Sequence, residues 1–135
     1  MSRKRIVLAD DHLEMLEEVR TLLGRDYEVV AAVENGEELV RAAKEFKPDL
    51  IVSDISMPEM TGFEAAAKIR EAGLSSRIIF LTVQSSPAYV KKARALGASG
   101  YVLKIYTAEQ LPDAVSTVLT GHSYVSPQLN VVGWS

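Results

Sequence analysis

The chain has 135 residues, the size of one ordinary domain, and folding at that length buries about 70% of the unfolded surface. Hydrophobic residues make up 47% and charged residues 24%, globular values that exclude intrinsic disorder as the main state. Fifteen basic against eighteen acidic residues give a net charge of −3, a poor counterion-release match for nucleic acid, and the lack of cysteine excludes disulfides, Fe–S clusters, thiolate zinc sites and cysteine nucleophiles.

The basic start, Arg3, Lys4 and Arg5, leads into an apolar run that Asp10 and Asp11 stop at once. That run is too short for a signal peptide, and no stretch reaches the roughly 18 apolar residues of a membrane span. The expected location is cytoplasmic. Residues 5–10 form the first predicted strand. A helix follows over 12–24, with Leu13, Leu16, Val19 and Leu23 on one face and Gly24 as its stop. A second strand covers 27–33, and a second helix covers 36–46 before Pro48. The third strand is 49–54. The third helix, 61–72, opens on Thr61 with Glu64 three positions on, the pattern of a capping box, and is followed by Gly73. Strand 77–82 precedes a helix over 86–97, which starts Ser86–Pro87 and stops at Gly97. Strand 100–104 precedes a helix over 107–120, with Thr107 and Gln110 as a second capping-box pair and Gly121 at its end.

Five strands alternating with five helices predict an α/β fold, a doubly wound five-stranded parallel sheet of (βα)5 type with helices on both faces. An α+β fold with a mixed sheet is the alternative. Residues 1–122 are expected to form the domain. From Ser123 the pattern loosens, and 123–135 read as a tail, the start of an interdomain linker, or a partner-binding extension.

Sites in a doubly wound sheet lie outside the carboxyl ends of the strands. Asp10 and Asp11 follow the first run, Asp54 ends the third, Thr82 ends the fourth and Lys104 ends the fifth. Any one of these alone is an ordinary turn, strand or rim residue; the argument rests on their convergence. Three carboxylates in one place repel each other, and a divalent cation removes the conflict. Oxygen ligands favour a hard ion such as Mg²⁺. Lys104 adds a positive charge and Thr82 a donor, so the set suits a dianionic phosphoryl group beside a metal, with one carboxylate as its acceptor.

The residues 6–12, with Asp10-Asp11-His12, the stretch Asp54-Ile-Ser-Met-Pro-Glu-Met-Thr-Gly62, the run 78–82 and the run 97–104 ending on Lys104 together resemble the receiver domain of two-component response regulators. The resemblance covers residues 4 to about 122 and implies the flavodoxin-like, CheY-like fold. It implies Asp54 as phosphoacceptor from a sensor histidine kinase. Mg²⁺ would be held by Asp10, Asp11, Asp54 and the Ser56 backbone carbonyl. Thr82 would bind the acyl phosphate and Lys104 would pair with a phosphoryl oxygen. Tyr101 takes the aromatic switch position, which swings inward when Thr82 moves, and Gly62 closes the turn before the third helix. Ser56 and Gln84, two positions past Asp54 and Thr82, take the positions that tune dephosphorylation. The face made by the fourth helix, fifth strand and fifth helix would change on phosphorylation, and it or the tail is a candidate homodimer surface.

Two departures stand out: Ile105 follows Lys104 where proline is frequent, and Val83 follows Thr82 where a smaller residue is usual. Within the family, the Asp-Asp-His opening and residues 121–127 are similar to the NarL-type branch, which implies transcription regulation through a DNA-binding domain absent from this chain. A free-standing receiver, and a degenerate one serving only for docking, stay open. A carboxylate-nucleophile phosphatase is a weaker rival, because Ser56 stands where its general-acid Asp belongs. A flavodoxin-like carrier is weaker still, because Asp10 and Asp11 would repel a cofactor phosphate. The chain is expected not to be an enzyme beyond its own phosphotransfer and dephosphorylation.

Overall fold

The computed structural model describes residues 3–130 and Trp134. Six parallel strands lie in the order β2-β1-β3-β4-β5-β6: β1 (Arg5–Ala9), β2 (Glu28–Val33), β3 (Leu50–Ser53), β4 (Arg77–Thr82), β5 (Gly100–Leu103) and β6 (Tyr124–Val125). The helices are α1 (Leu13–Leu23), α2 (Gly36–Phe46), α3 (Gly62–Glu71), α4 (Pro87–Ala95) and α5 (Thr107–Leu119). The doubly wound fold expected from the alternation is the one observed.

The sheet divides the core into two layers, because alternate residues of each strand point to opposite faces. Val7, Ile51, Ile78, Phe80 and Tyr101 pack with α2, α3 and α4. Ile6, Leu8, Val52, Ile79, Leu81 and Val102 pack with α1 and α5. The three middle strands are buried on both faces, which is why they read as unbroken apolar runs. Each fully buried Ile, Leu or Phe stabilises the fold by about 1.5–3 kcal/mol.

Three local expectations are corrected. Leu13 is 60% exposed and belongs to the surface, while Leu16, Val19 and Leu23 are buried as expected. The Thr61–Glu64 capping box forms, but Thr107 and Gln110 make none: α5 has no side-chain cap, and the Thr107 hydroxyl donates to the Lys104 carbonyl at 2.6 Å. The Gln110 side chain instead bonds Ser126 and Gln128. The segment after Ser123 is also more than a tail. Tyr124 and Val125 pair with Gly100 and Tyr101 as a sixth strand, and a 3₁₀ turn over Pro127–Leu129 follows. The rest of that expected tail, residues 131–133 and 135, lies outside the described residues.

Candidate functional site

The topology sets β1, β3, β4 and β5 side by side, so the residues at their carboxyl ends share one edge. Asp10 and Asp11 leave β1, Asp54 leaves β3, Thr82 closes β4 and Lys104 leaves β5. Glycine is required where the loop after β3 turns into α3. A Cβ on Gly62 would fall on the Asp54 carbonyl oxygen, and the Gly62 amide donates to the Ile55 carbonyl at 2.7 Å. The start of α3 therefore presses directly on the backbone that carries Asp54.

Lys104 ties the site together. Its Nζ lies 2.7 Å from Asp10 Oδ2 and 2.9 Å from Asp54 Oδ2, with 11% of the lysine side chain and 5% of each carboxylate exposed. Each carboxylate spends its other oxygen on the backbone: Asp54 Oδ1 accepts from Ile55 N–H at 2.7 Å, and Asp10 Oδ1 from His12 N–H at 2.9 Å. Burial works to lower the lysine pKa, but the hydrogen bonds and negative charge of Asp10 and Asp54 outweigh it, and the net shift is upward. The ammonium is thus held charged at neutral pH.

Carboxylate oxygens of Asp10, Asp11 and Asp54 and a ring nitrogen of His12 all lie within 4.8 Å of one another. Three carboxylates against one ammonium leave this pocket two charges negative with His12 neutral, the complement of a divalent cation. The donor set is mostly hard oxygen, which suits such an ion in a phosphate site. His12 was not singled out as a site residue from the sequence. Its Nδ1 sits 3.1 Å from Asp10 Oδ1 and 3.2 Å from Asp11 Oδ1, and its position directly after the aspartate pair was the available signal.

The remaining residues lie around this centre. Thr82 is fully buried, and its Oγ1 accepts from Gln84 N–H at 3.2 Å. Tyr101 points inward, fully buried, with its hydroxyl donating to the Gln84 carbonyl at 2.6 Å. Tyr101 is therefore not part of the surface, although Tyr89 and Lys92 of the same expected face are. Burial, then the proximity of Tyr89 and Asp54, pushes the Tyr101 phenol well above the ordinary tyrosine range. Gln84 is engaged through its backbone. Ser56 is exposed at the mouth of a groove between α3 and α4, beside Thr61, Phe63 and Tyr89. No peptide bond among the described residues is cis, so Ile105 follows Lys104 in the trans form. Leu13, Val83 and Ile105, each close in sequence to a site residue, are 60%, 71% and 79% exposed in the segments that follow β1, β4 and β5.

Residues 6–116 match the family described as the response regulator receiver domain. Over 129 residues the chain is 36% identical to the nitrate/nitrite response regulator protein NarL of Escherichia coli K12, spanning 94% of this chain and 60% of that protein. Over 117 residues it is 38% identical to the chemotaxis protein CheY of Halobacterium salinarum, spanning 87% of this chain and 98% of that one. A crystal structure of a LuxR-family two-component response regulator from Aurantimonas sp. SI85-9A1 superposes with a TM-score of 0.90 at 36% identity, covering 96% of this chain and 94% of that one. Against several transcriptional regulators the chain spans only 53% to 64% of their length.

Proposed function

The chain belongs to the response regulator receiver domain family, and from that premise we propose that Asp54 accepts a phosphoryl group from the phosphohistidine of a sensor histidine kinase. The observation that carries this reading is the buried Lys104 ammonium bridging Asp10 and Asp54. It leaves a carboxylate poised at the sheet edge beside a fixed positive charge.

In the transfer, an Asp54 carboxylate oxygen attacks phosphorus and the P–N bond breaks. Its electron pair leaves with the imidazole, which takes up a proton. Lys104 neutralises charge on the phosphoryl oxygens without reorganising, because Asp10 already holds it in place. Asp10, Asp11 and Asp54, with the Ser56 carbonyl, would hold Mg²⁺, whose charge would draw the phosphoryl oxygens into the site. Thr82 then turns from the Gln84 amide to the acyl phosphate, and Tyr101, bonded to the Gln84 carbonyl, carries the change to α4, β5 and α5. Ser56 and Gln84 flank the path of a hydrolytic water. The protein acts as a switch that modifies itself, not as an enzyme with a separate substrate.

The exposed Leu13, Val83 and Ile105, each next to a loop that carries a site residue, support docking of a partner over Asp54, since exposed apolar groups near a charged site are what a donor helix would cover. Transcription regulation is the output favoured by the match to NarL, in the cytoplasm, with a homodimer through the α4–β5–α5 face or the C-terminal segment as the active form. The match to CheY along nearly that protein's whole length supports a stand-alone receiver as the second reading.

Intact mass after incubation with Mg²⁺ and acetyl phosphate tests the first step. We expect one added phosphoryl group, absent without Mg²⁺ and absent in Asp54→Asn. No adduct in the native chain, with acetyl phosphate or with a kinase, would leave only a docking module.

A further inference from the structure

The C-terminal segment is bound to the switch strand by a buried side chain. Tyr124 N–H donates to the Ser99 carbonyl at 3.0 Å and Ser126 N–H to the Tyr101 carbonyl at 2.9 Å. The Ser126 hydroxyl, 1% exposed with its residue, accepts from Leu103 N–H at 2.9 Å and donates to Gln110 Oε1 at 2.5 Å. Gln110 Nε2 in turn donates to Gln128 Oε1 at 2.8 Å. One hydroxyl thus pins the end of β5, the first turns of α5 and the segment itself. Tyr124 packs with the α1–α5 layer, and Leu129 and Trp134 pack with the opposite layer, so the segment crosses the edge of the sheet from one face to the other.

The contacts fall on the residues that matter. Leu103 immediately precedes Lys104, and Tyr101 is the residue whose hydroxyl holds the Gln84 carbonyl. Gln84 N–H is on Thr82 Oγ1. Thr82 is thus linked to Gln84 and Gln84 to the Tyr101 hydroxyl, while at its backbone the Tyr101 carbonyl accepts from Ser126 N–H. Lys104 must reach two carboxylates at 2.7 and 2.9 Å from a strand of only four residues. Without the segment, β5 would be the edge of the sheet, with β4 as its one hydrogen-bonded neighbour strand.

We propose that Ser126 is a positioning residue for the phosphorylation site. By holding Leu103 N–H at the end of β5 its hydroxyl sets Lys104, the next residue, so that docking of the C-terminal segment and occupation of the site favour one another. The inference rests on Asp54 being the phosphoacceptor. It extends the working unit beyond residue 122 to the C-terminal segment, and it gives phosphorylation a direct handle on that segment. Reciprocity is the testable core: if the segment helps the site bind, site binding must tighten the segment by the same factor.

The probe is beryllofluoride with Mg²⁺, a phosphoryl mimic, on the whole chain. In the native protein, binding is expected to slow amide exchange at Tyr124 and Ser126 as well as after Thr82. Ser126→Ala should weaken mimic binding by about fivefold or more, and Ser126→Thr, which keeps the hydroxyl, should restore it. Mimic binding that protects the loop after Thr82 while leaving the Ser126 amide unchanged overturns the proposal. So does a folded Ser126→Ala that binds as tightly as the native chain. If Ser126→Ala does not fold, native-chain exchange alone decides. If the native chain binds no mimic at all, the phosphoacceptor reading falls, and this one with it.

Discussion

At the carboxyl end of the sheet, Asp10, Asp54 and Lys104 sit together almost entirely out of water. At the amino end, Lys4, Lys47, Asp49 and Arg77 line an open groove of about 560 Å³, and all four are exposed. Aspartate and lysine occur at both ends. At the amino end polar groups serve as fasteners between backbone segments: Asp49 accepts from Arg5 N–H at 2.8 Å, and the buried Ser76 hydroxyl donates to the Pro48 carbonyl at 2.6 Å. At the carboxyl end charges face each other, and Asp10 and Asp54 hold the Lys104 ammonium charged. Chemistry here comes from enforced proximity under burial, since a charge in water is screened and free to turn away.

The comparison breaks most visibly if the central ammonium is removed. Lys104→Ala leaves two buried carboxylates without their cation, and breaking a buried ion pair from one side costs about 3 kcal/mol or more. Arg77→Ala at the other end should change stability by no more than about 0.5 kcal/mol. Urea unfolding of both variants measures this. Millimolar Mg²⁺ should restore more stability to Lys104→Ala than to the native chain, because the cation would answer the same unpaired charge. Equal losses at the two ends would mean that the site is far wetter than its geometry.

Two glycines, one near each end of the sheet, differ in the same way at a smaller scale. Gly62→Ala drives a methyl into the Asp54 carbonyl, and overpacking of this kind costs about 1–3 kcal/mol. It should also slow phosphorylation, because relief requires the Asp54 backbone to move. Gly73, in the loop at the amino end, has open space around it and a φ of 79°. Gly73→Ala meets only the left-handed backbone penalty, about 1 kcal/mol, and phosphorylation should proceed at the native rate. Thermal unfolding and adduct formation, measured together, separate the two effects.

These contrasts also show where the sequence could be read. Asp10, Asp11, Asp54, Thr82 and Lys104 were legible because each sits where an apolar run stops, and in a parallel sheet those stops share an edge. Thr61 with Glu64 was legible because a capping box is satisfied locally, within one helical turn. Thr107 with Gln110 shows the same spacing and fails, because Gln110 has better-placed partners in Ser126 and Gln128, which local pattern cannot reveal. The sixth strand escaped for a related reason. Two residues have no period, and Tyr124 and Val125 are strand only because β5 offers them a ladder. Leu13 looked like core because it falls on the apolar face of α1, but it is the first residue of the helix and stands 60% exposed.

The smallest effect concerns two tyrosines. Burial raises the pKa of both Tyr101, which reaches the carboxyl end, and Tyr27, which precedes β2 at the other; the negative charge of Asp26 adds to the second. A group whose folded pKa lies above its unfolded value stabilises the fold fully below the unfolded value. That stability is lost as pH rises, because the unfolded chain gives up the proton first. Taking about 10 for an unfolded tyrosine, fully buried Tyr101 should account for roughly 1 kcal/mol of lost stability at about pH 10.5. Lys104 shifts in the same direction and adds to the slope. Tyr27 is only half-buried, and water screens its share. Urea midpoints from about pH 8 to about pH 10.5 should therefore fall less steeply in Tyr101→Phe than in Tyr27→Phe. Matching slopes would place the Tyr101 hydroxyl in contact with solvent and away from the Gln84 carbonyl, and the hydrogen-bonded path from Thr82 to β5 would be broken at that point.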